Sequence, residues 1–458
     1  MSAGRSQVVA LAALGAAVMA VGWTFLAYRL GPHIALAATA GVAVAVSVLR
    51  NPMVGVYAGV MAIPLEILDL KVGGEAGLSP AEGLLILTAL AAAFRMLVLE
   101  QGRSVPGEFL WFGAFLVAMS LGVFFAEEQF VVAKATIMWS AFLTVALYVS
   151  TQKREQLDRV VGSVALSGGI VGLVALLTTK EQELTAGGTL ASNRAEATFA
   201  HPNVLSFSLI LAIPLALTLG VRGRGAVRVL MLASAALATG GLMLSLSRGG
   251  IVGGVVSFLV LLAWPRFRRY AFGLLVVFAI YATFNLGNLQ DTSALGNVSQ
   301  RVGTLTTQKG VGSNPRIKIW TATPGIVIDH PLLGVGQGNY PEESTTYGIR
   351  DVGGLAFDHA HNLPLTIVAE TGLIGLVLFG GFLVSVARSG MAALRNRLSP
   401  SYPLALAIVA ALTGLVVTSV GEYPPRTNVI MATILIEIGA LAGYVRLLGQ
   451  DPGRRNVL

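Results

Sequence analysis

Apolar residues run in long blocks along most of this 458-residue chain, and short polar or basic clusters separate them. A helix rises about 1.5 Å per residue, so roughly 17–25 apolar residues cross the hydrocarbon core of a bilayer. Blocks of this kind lie near residues 7–29, 32–49, 52–67, 80–99, 107–126, 130–150, 158–178, 203–221, 226–247, 250–265, 270–287, 362–387, 402–421 and 427–447. The pattern predicts an all-α fold, a polytopic transmembrane helical bundle of 12–14 spans. The third and tenth blocks are short enough to be re-entrant or merged. The longest polar stretch, residues 288–361, predicts a large, partly helical loop outside the bilayer. The expected organisation is N-terminal transmembrane helices over 1–180, a catalytic core over 181–447 that includes the 288–361 loop, and a tail over 448–458.

Composition sharpens this picture. Charged residues make up 12% of the chain, about half of what a soluble protein carries (~25%), and the mean hydropathy is +0.75. A soluble globular protein is excluded. The absence of cysteine excludes disulfides and thiolate chemistry. The net charge of +8 sits in small clusters between apolar blocks, which speaks for membrane topology and lipid contact rather than nucleic acid. The first block lacks a small-residue cleavage site and reads as a retained span. With the N-terminus inside, 19 of the 31 basic residues fall in inner loops, among them Arg222 to Arg228 and Arg266-Phe267-Arg268-Arg269. Both termini are therefore expected in the cytoplasm. The remaining cations gather in segments assigned to the outer face, which points to an anionic ligand there.

Four places offer chemistry. Arg248, in Ser247-Arg248-Gly249-Gly250, lies between two apolar blocks. An arginine at that depth must be paired, snorkelled or facing a wet cavity, and its planar fork suits phosphate. The adjacent glycines would let a backbone or ligand come close. Arg316 and Trp320 are four residues apart, on one face of a helix if the segment is helical, and an amphipathic helix on the outer surface is the simple expectation. It runs into Asp329 to Tyr340, where Gly334, Gly336 and Gly338 make a tight turn that is only loosely like a phosphate cradle. Asp358-His359-Ala360-His361-Asn362 ends the polar loop and opens the next apolar block. A histidine at such a boundary can take a proton from a sugar hydroxyl. Glu370 lies inside the following span, and Glu422, in Gly421-Glu422-Tyr423-Pro424-Pro425-Arg426, reads as a partner for Arg426. There is no Asp-x-Asp pair to hold a metal on a diphosphate, and Glu181-Gln182-Glu183 is only a loose analogue. No metal site is expected.

These residues resemble the O-antigen ligase and O-antigen polymerase superfamily. The resemblance rests on the order Ser245-Leu246-Ser247-Arg248-Gly249, Arg316 to Trp320, His330-Pro331-Leu332-Leu333-Gly334-Val335-Gly336, then His361-Asn362 with Glu370-Thr371-Gly372-Leu373-Ile374-Gly375. Phe199-Ala200-His201-Pro202-Asn203 adds to it, so that it spans roughly residues 190–380. The resemblance implies a glycosyltransferase-C-like bundle in the bacterial inner membrane, with its active site facing the periplasm or exterior. It implies a metal-independent, inverting glycosyltransferase without cofactor, acting on a polyprenyl-diphosphate-linked glycan and a glycan or glycolipid acceptor. Carried over, Arg248 and Arg316 would hold the diphosphate and His361 would act on the acceptor hydroxyl. His359, Asn362 and Trp320 would be further substrate contacts. An O-antigen ligase is expected first; a polysaccharide polymerase, a protein O-oligosaccharyltransferase and a transporter or flippase are the rival readings.

Overall fold

A computed structural model of the chain describes residues 32–66, 70–71, 77–98, 105–178, 195–199, 201–271, 315–350 and 356–449. The block near 7–29, the block near 270–287 from residue 272 on, residues 288–314 of the expected outer loop, the Glu181-Gln182-Glu183 stretch and the tail from residue 450 lie outside the described residues. In chain order the helices are α1 (Pro32–Arg50), α2 (Pro52–Met61), α3 (Pro80–Val98), α4 (Gly107–Ser120), α5 (Gln129–Ser150), α6 (Arg154–Thr178) and α7 (Pro202–Arg222). They continue with α8 (Gly225–Leu244), α9 (Arg248–Leu261), α10 (Pro315–Asp329), α11 (Tyr340–Thr346), α12 (Leu363–Arg395), α13 (Tyr402–Thr418) and α14 (Asn428–Gly449). A two-stranded antiparallel ribbon, Leu70–Lys71 against Gly77–Leu78, is the exception to the helices. The chain is a polytopic all-α membrane protein.

Among the described residues, eight helices are long and apolar enough to cross a bilayer. Shorter apolar helices accompany them, including α2, α9 and α13. The two blocks read as short are so: α2 has 10 residues and α9 has 14, about 15 and 21 Å at 1.5 Å per residue, against about 30 Å of hydrocarbon. Side-chain caps start several helices where sequence turns from polar to apolar. Asn51 accepts from Met53 N (3.2 Å) and His201 Nδ1 from Asn203 N (3.1 Å), in each case with proline in the first turn.

The packing relies on small residues, as expected where lipid offers helices no hydrophobic drive to associate. A Cβ on Gly169 would fall 2.1 Å from Ser234 Oγ, and Gly172 lies against the Leu237 backbone. The glycines beside Arg248 do the same work. A Cβ on Gly250 would meet Ser206 at 2.5 Å, and Gly249 faces Thr418. Of the two expectations, a close backbone or a close ligand, the structure shows the first: they let α9 approach α7 and α13.

The longest helix, α12, is broken once. Gly372 has φ 65° and ψ −171°, a combination only glycine adopts without strain. The break leaves carbonyls on one side and amides on the other without helical partners, and the segment before α11 supplies them. Val335 N donates to Ala369 O (2.9 Å), Gly336 N to Glu370 O (2.8 Å), Leu373 N to Pro331 O (2.9 Å). The glycine-rich turn is therefore not a phosphate cradle; Val335 and Gly336 spend their amides on the helix. This docking, with a small core of Ile319, Ile326, Val335, Tyr340, Ile349, Ala360 and Ala369, fixes α10 and α11 to the mouth of α12. The α10 helix is thus packed onto the bundle by Ile319 and Ile326, and does not lie bare on a lipid surface.

Candidate functional site

The site forms where three chain segments meet: the end of α13, the start of α10, and the loop that enters α12. Asn362 caps α12, its Oδ1 accepting from Leu365 N (3.0 Å). Its Nδ2 donates to Val420 O (2.9 Å), and Leu363 N donates to Ser419 O (3.0 Å). These bonds strap the mouth of α12 to the residues just before Glu422. Immediately upstream, His361 has φ 48°, the left-handed region, which is uncommon for a residue with a side chain. That turn sets the two imidazoles side by side, with ring centroids 4.3 Å apart. Trp320 Nε1 donates to the carbonyl of Ala360 between them (3.0 Å).

Glu422 is the hub. Its Oε1 accepts from Asn203 Nδ2 (2.6 Å) and from Arg316 Nη2. Its Oε2 lies 3.2 Å from His361 Nδ1 and 3.9 Å from His359 Nε2. Glu422 is buried, whereas the Arg316 side chain is 40% exposed and that of His361 18%. Burial pushes the Glu422 carboxyl up, but the neighbouring imidazoles and the Arg316 charge outweigh it and hold the group well below the usual carboxylate range. His359 is buried beneath, and burial lowers its pKa to about 4. Neither of its ring nitrogens has a hydrogen-bond partner among the described residues. Tyr423, next in the chain, is raised by burial, and its hydroxyl accepts from Gln337 Nε2 (3.1 Å).

Arg248 opens α9 at the same end of the bundle. Ser247 caps the helix, its Oγ accepting from Gly250 N (3.3 Å), and Thr418 Oγ1 donates to the carbonyl of Gly249 (3.1 Å), four residues before Glu422. Arg248 is itself exposed.

Arg316, His359 and His361 thus converge, with Arg248 on the adjoining helix start. Trp320 and Asn362 are present but spend their polar groups on the loop and the cap. His359, read as a substrate contact, is buried. His330 is elsewhere, with Nε2 3.7 Å from Glu343 Oε1. The expected Glu422–Arg426 pair does not form: Arg426 Nη2 donates instead to Asp358 Oδ2 (2.6 Å), and Glu422 takes Arg316 and His361. Sequence reasoning missed Glu422 as a hub and Asn203 as its partner. The clue available was that both stand in short polar islands at the ends of apolar blocks. Three ligand atoms, from His359, His361 and Glu422, lie within 4.8 Å of one another and could hold a metal ion.

Comparison with known proteins fits this arrangement. Residues 233–380 match the family model described as O-antigen ligase. That stretch carries the likeness of this chain to the O-antigen ligase and polymerase superfamily. The matched stretch contains Arg248, Arg316, Trp320, His359, His361 and Asn362, and ends before Glu422. A chain of the solved structure called "Structural coordination of polymerization and crosslinking by a peptidoglycan synthase complex" is similar at 16% identity, over 75% of this chain and 98% of that one, with a TM-score of 0.42. That likeness is too loose to carry an argument. No curated protein matches. The match supports membrane glycan transfer of the ligase or polymerase kind.

Proposed function

We propose that the protein moves a glycan from a polyprenyl-diphosphate carrier to an acceptor hydroxyl on the outer face of the bacterial inner membrane, with inversion and without need of a metal, as an O-antigen ligase does. The observation that carries this reading is the meeting of Arg316 and His361 on one buried carboxylate beside the start of α9. A hydrogen bond from His361 Nδ1–H to Glu422 Oε2 fixes the imidazole tautomer and leaves Nε2 as the proton acceptor. Nε2 takes the proton of the acceptor hydroxyl as that oxygen attacks the anomeric carbon. The bond from that carbon to the diphosphate breaks, and Arg316 with Arg248 stabilises the charge on the departing group. His361 suits the role better than His359, being partly exposed and held by Glu422.

An apolar cavity of about 450 Å³ supports a lipid carrier. Its walls come from α12, α13 and α14, and Leu363, Ser419, Pro424 and Pro425 form the part nearest the site. From there it follows Phe382, Met391 and Leu441 along the helices, as an isoprenoid tail would. The ligase and polymerase readings share this chemistry and differ in the acceptor. The test is to incubate purified protein, without added metal, with a lipid-linked glycan and either a lipid A-core acceptor or a second lipid-linked repeat unit. Transfer to lipid A-core with release of polyprenyl diphosphate is expected. Elongation of the lipid-linked chain makes the protein a polymerase, and movement of the glycolipid across a bilayer with no release of diphosphate makes it a transporter.

A further inference from the structure

We infer that His359, His361 and Glu422 form a binding site for a borderline divalent transition ion such as Zn²⁺, and that its occupation switches glycan transfer off. Two observations carry the binding. The first is the donor set: two imidazole nitrogens and one carboxylate oxygen, all within 4.8 Å. Ligands about 2.0–2.1 Å from a tetrahedral ion stand about 3.4 Å apart. Glu422 Oε2 is 3.2 Å from His361 Nδ1 and 3.9 Å from His359 Nε2, so the second of these pairs closes by about half an ångström, and the two imidazole nitrogens, within 4.8 Å, close by at most about 1.4 Å. The second is independent. His359 is 2% exposed and neither of its ring nitrogens makes a hydrogen bond among the described residues. A buried imidazole left in that state costs free energy, and an ion beside Nε2 would relieve the part that belongs to that nitrogen.

The surroundings suit a dication. Glu422 Oε1 is taken by Asn203 and Arg316, which orients the carboxylate and leaves Oε2 toward the imidazoles, as partners behind metal ligands do. Arg316 therefore sits on the far oxygen, and at 40% exposure its charge is screened by solvent. Two neutral imidazoles and one carboxylate match Zn²⁺, Co²⁺ or Ni²⁺ better than Mg²⁺ or Ca²⁺, which prefer all-oxygen sets.

The consequence for transfer rests on the role proposed for His361. In the metal-free state Nδ1 carries the proton and Nε2 accepts. Coordination through Nδ1 uses its lone pair, so the single proton of the neutral ring moves to Nε2. The imidazole is then a donor where a base is required. No proton is gained or lost by the protein.

The test uses full-length protein in detergent, stripped with a chelator and titrated with Co²⁺, whose visible absorption reports a tetrahedral site with imidazole and carboxylate ligands. One ion per chain is expected, displaced by Zn²⁺, with affinity reduced at least about tenfold in His359→Gln, His361→Ala and Glu422→Gln. Thermal melting in chelator shows that each variant is folded; should Glu422→Gln not fold, the two histidine variants suffice. Absence of a saturable Co²⁺ spectrum, or one unchanged in the His359→Gln/His361→Ala double variant, overturns the site. Zn²⁺ is expected to stop transfer reversibly, with chelator restoring it. Stoichiometric binding with full transfer overturns the switch while leaving the site, and failure of metal-free protein to transfer bears on the proposed function alone.

Discussion

The two ends of the helix bundle use the same residue types to opposite effect. At one end, Arg316, Asn203 and His361 all converge on the single carboxylate of Glu422. At the other, about 33 Å away along the 22 residues of α14, the basic residues disperse. Arg95 donates to Arg50 O (3.3 Å), Arg154 to Pro400 O (2.9 Å) and Arg446 to Ser150 O and Gln152 O (3.0 and 2.6 Å), while Arg222 lies 3.8 Å from Asp158. A polar cleft there is lined by Arg50, Arg95, Lys153 and Arg159, and the Glu155 partner of Arg159 is exposed. These arginines close helix ends, the usual part of cations flanking spans. A count of basic residues alone would favour the dispersed end, the side to which 19 of the 31 are assigned. What separates them is whether the cations share a buried acidic partner with an ionisable base.

The contrast breaks or sharpens under substitution, read as transfer by folded protein. His361→Ala should cost the most, about 10²–10⁴-fold in rate, the range of a lost general base. Arg316→Ala should cost about 10²–10³-fold by removing charge stabilisation of the leaving diphosphate, and Arg316→Lys should recover little, because an ammonium lacks the two-pronged fork. Glu422→Gln keeps the shape but loses one charged hydrogen-bond partner of each neighbour, and about 10- to 100-fold is expected. At the opposite end, Arg95→Ala should change transfer by less than about twofold, the scale of an ordinary surface substitution. A loss there as large as that of Arg316 would erase the distinction, and melting curves would separate it from unfolding.

How much of this was legible in the sequence follows from the range of each interaction. Apolar blocks and their borders are local, so α3 to α8, α12 and α14 could be placed from the hydrophobic run alone. Arg248 and His361 were legible for the same reason: each stands at a border where polar chain meets an apolar block. Glu422 was not, because its partners are remote. It lies 61 residues from His361, 106 from Arg316 and 219 from Asn203, and the nearest cation, Arg426, drew the expectation away from them. The break in α12 was hidden as well. Gly372 carries no proline beside it, and its cost is met by amides from Val335 and Gly336, a segment that glycine spacing alone made look like an anion cradle. Trp320 and Asn362 had the right residue types for substrate contact, but the local fold claims their polar groups first.

The most direct test of the account compares two purified, folded variants, His361→Ala and Arg95→Ala, each supplied with lipid-diphosphate glycan and acceptor in metal-free buffer, with released polyprenyl diphosphate as the readout. The account predicts release slowed at least about 10²-fold in His361→Ala and essentially unchanged in Arg95→Ala. Equal release from both would contradict it.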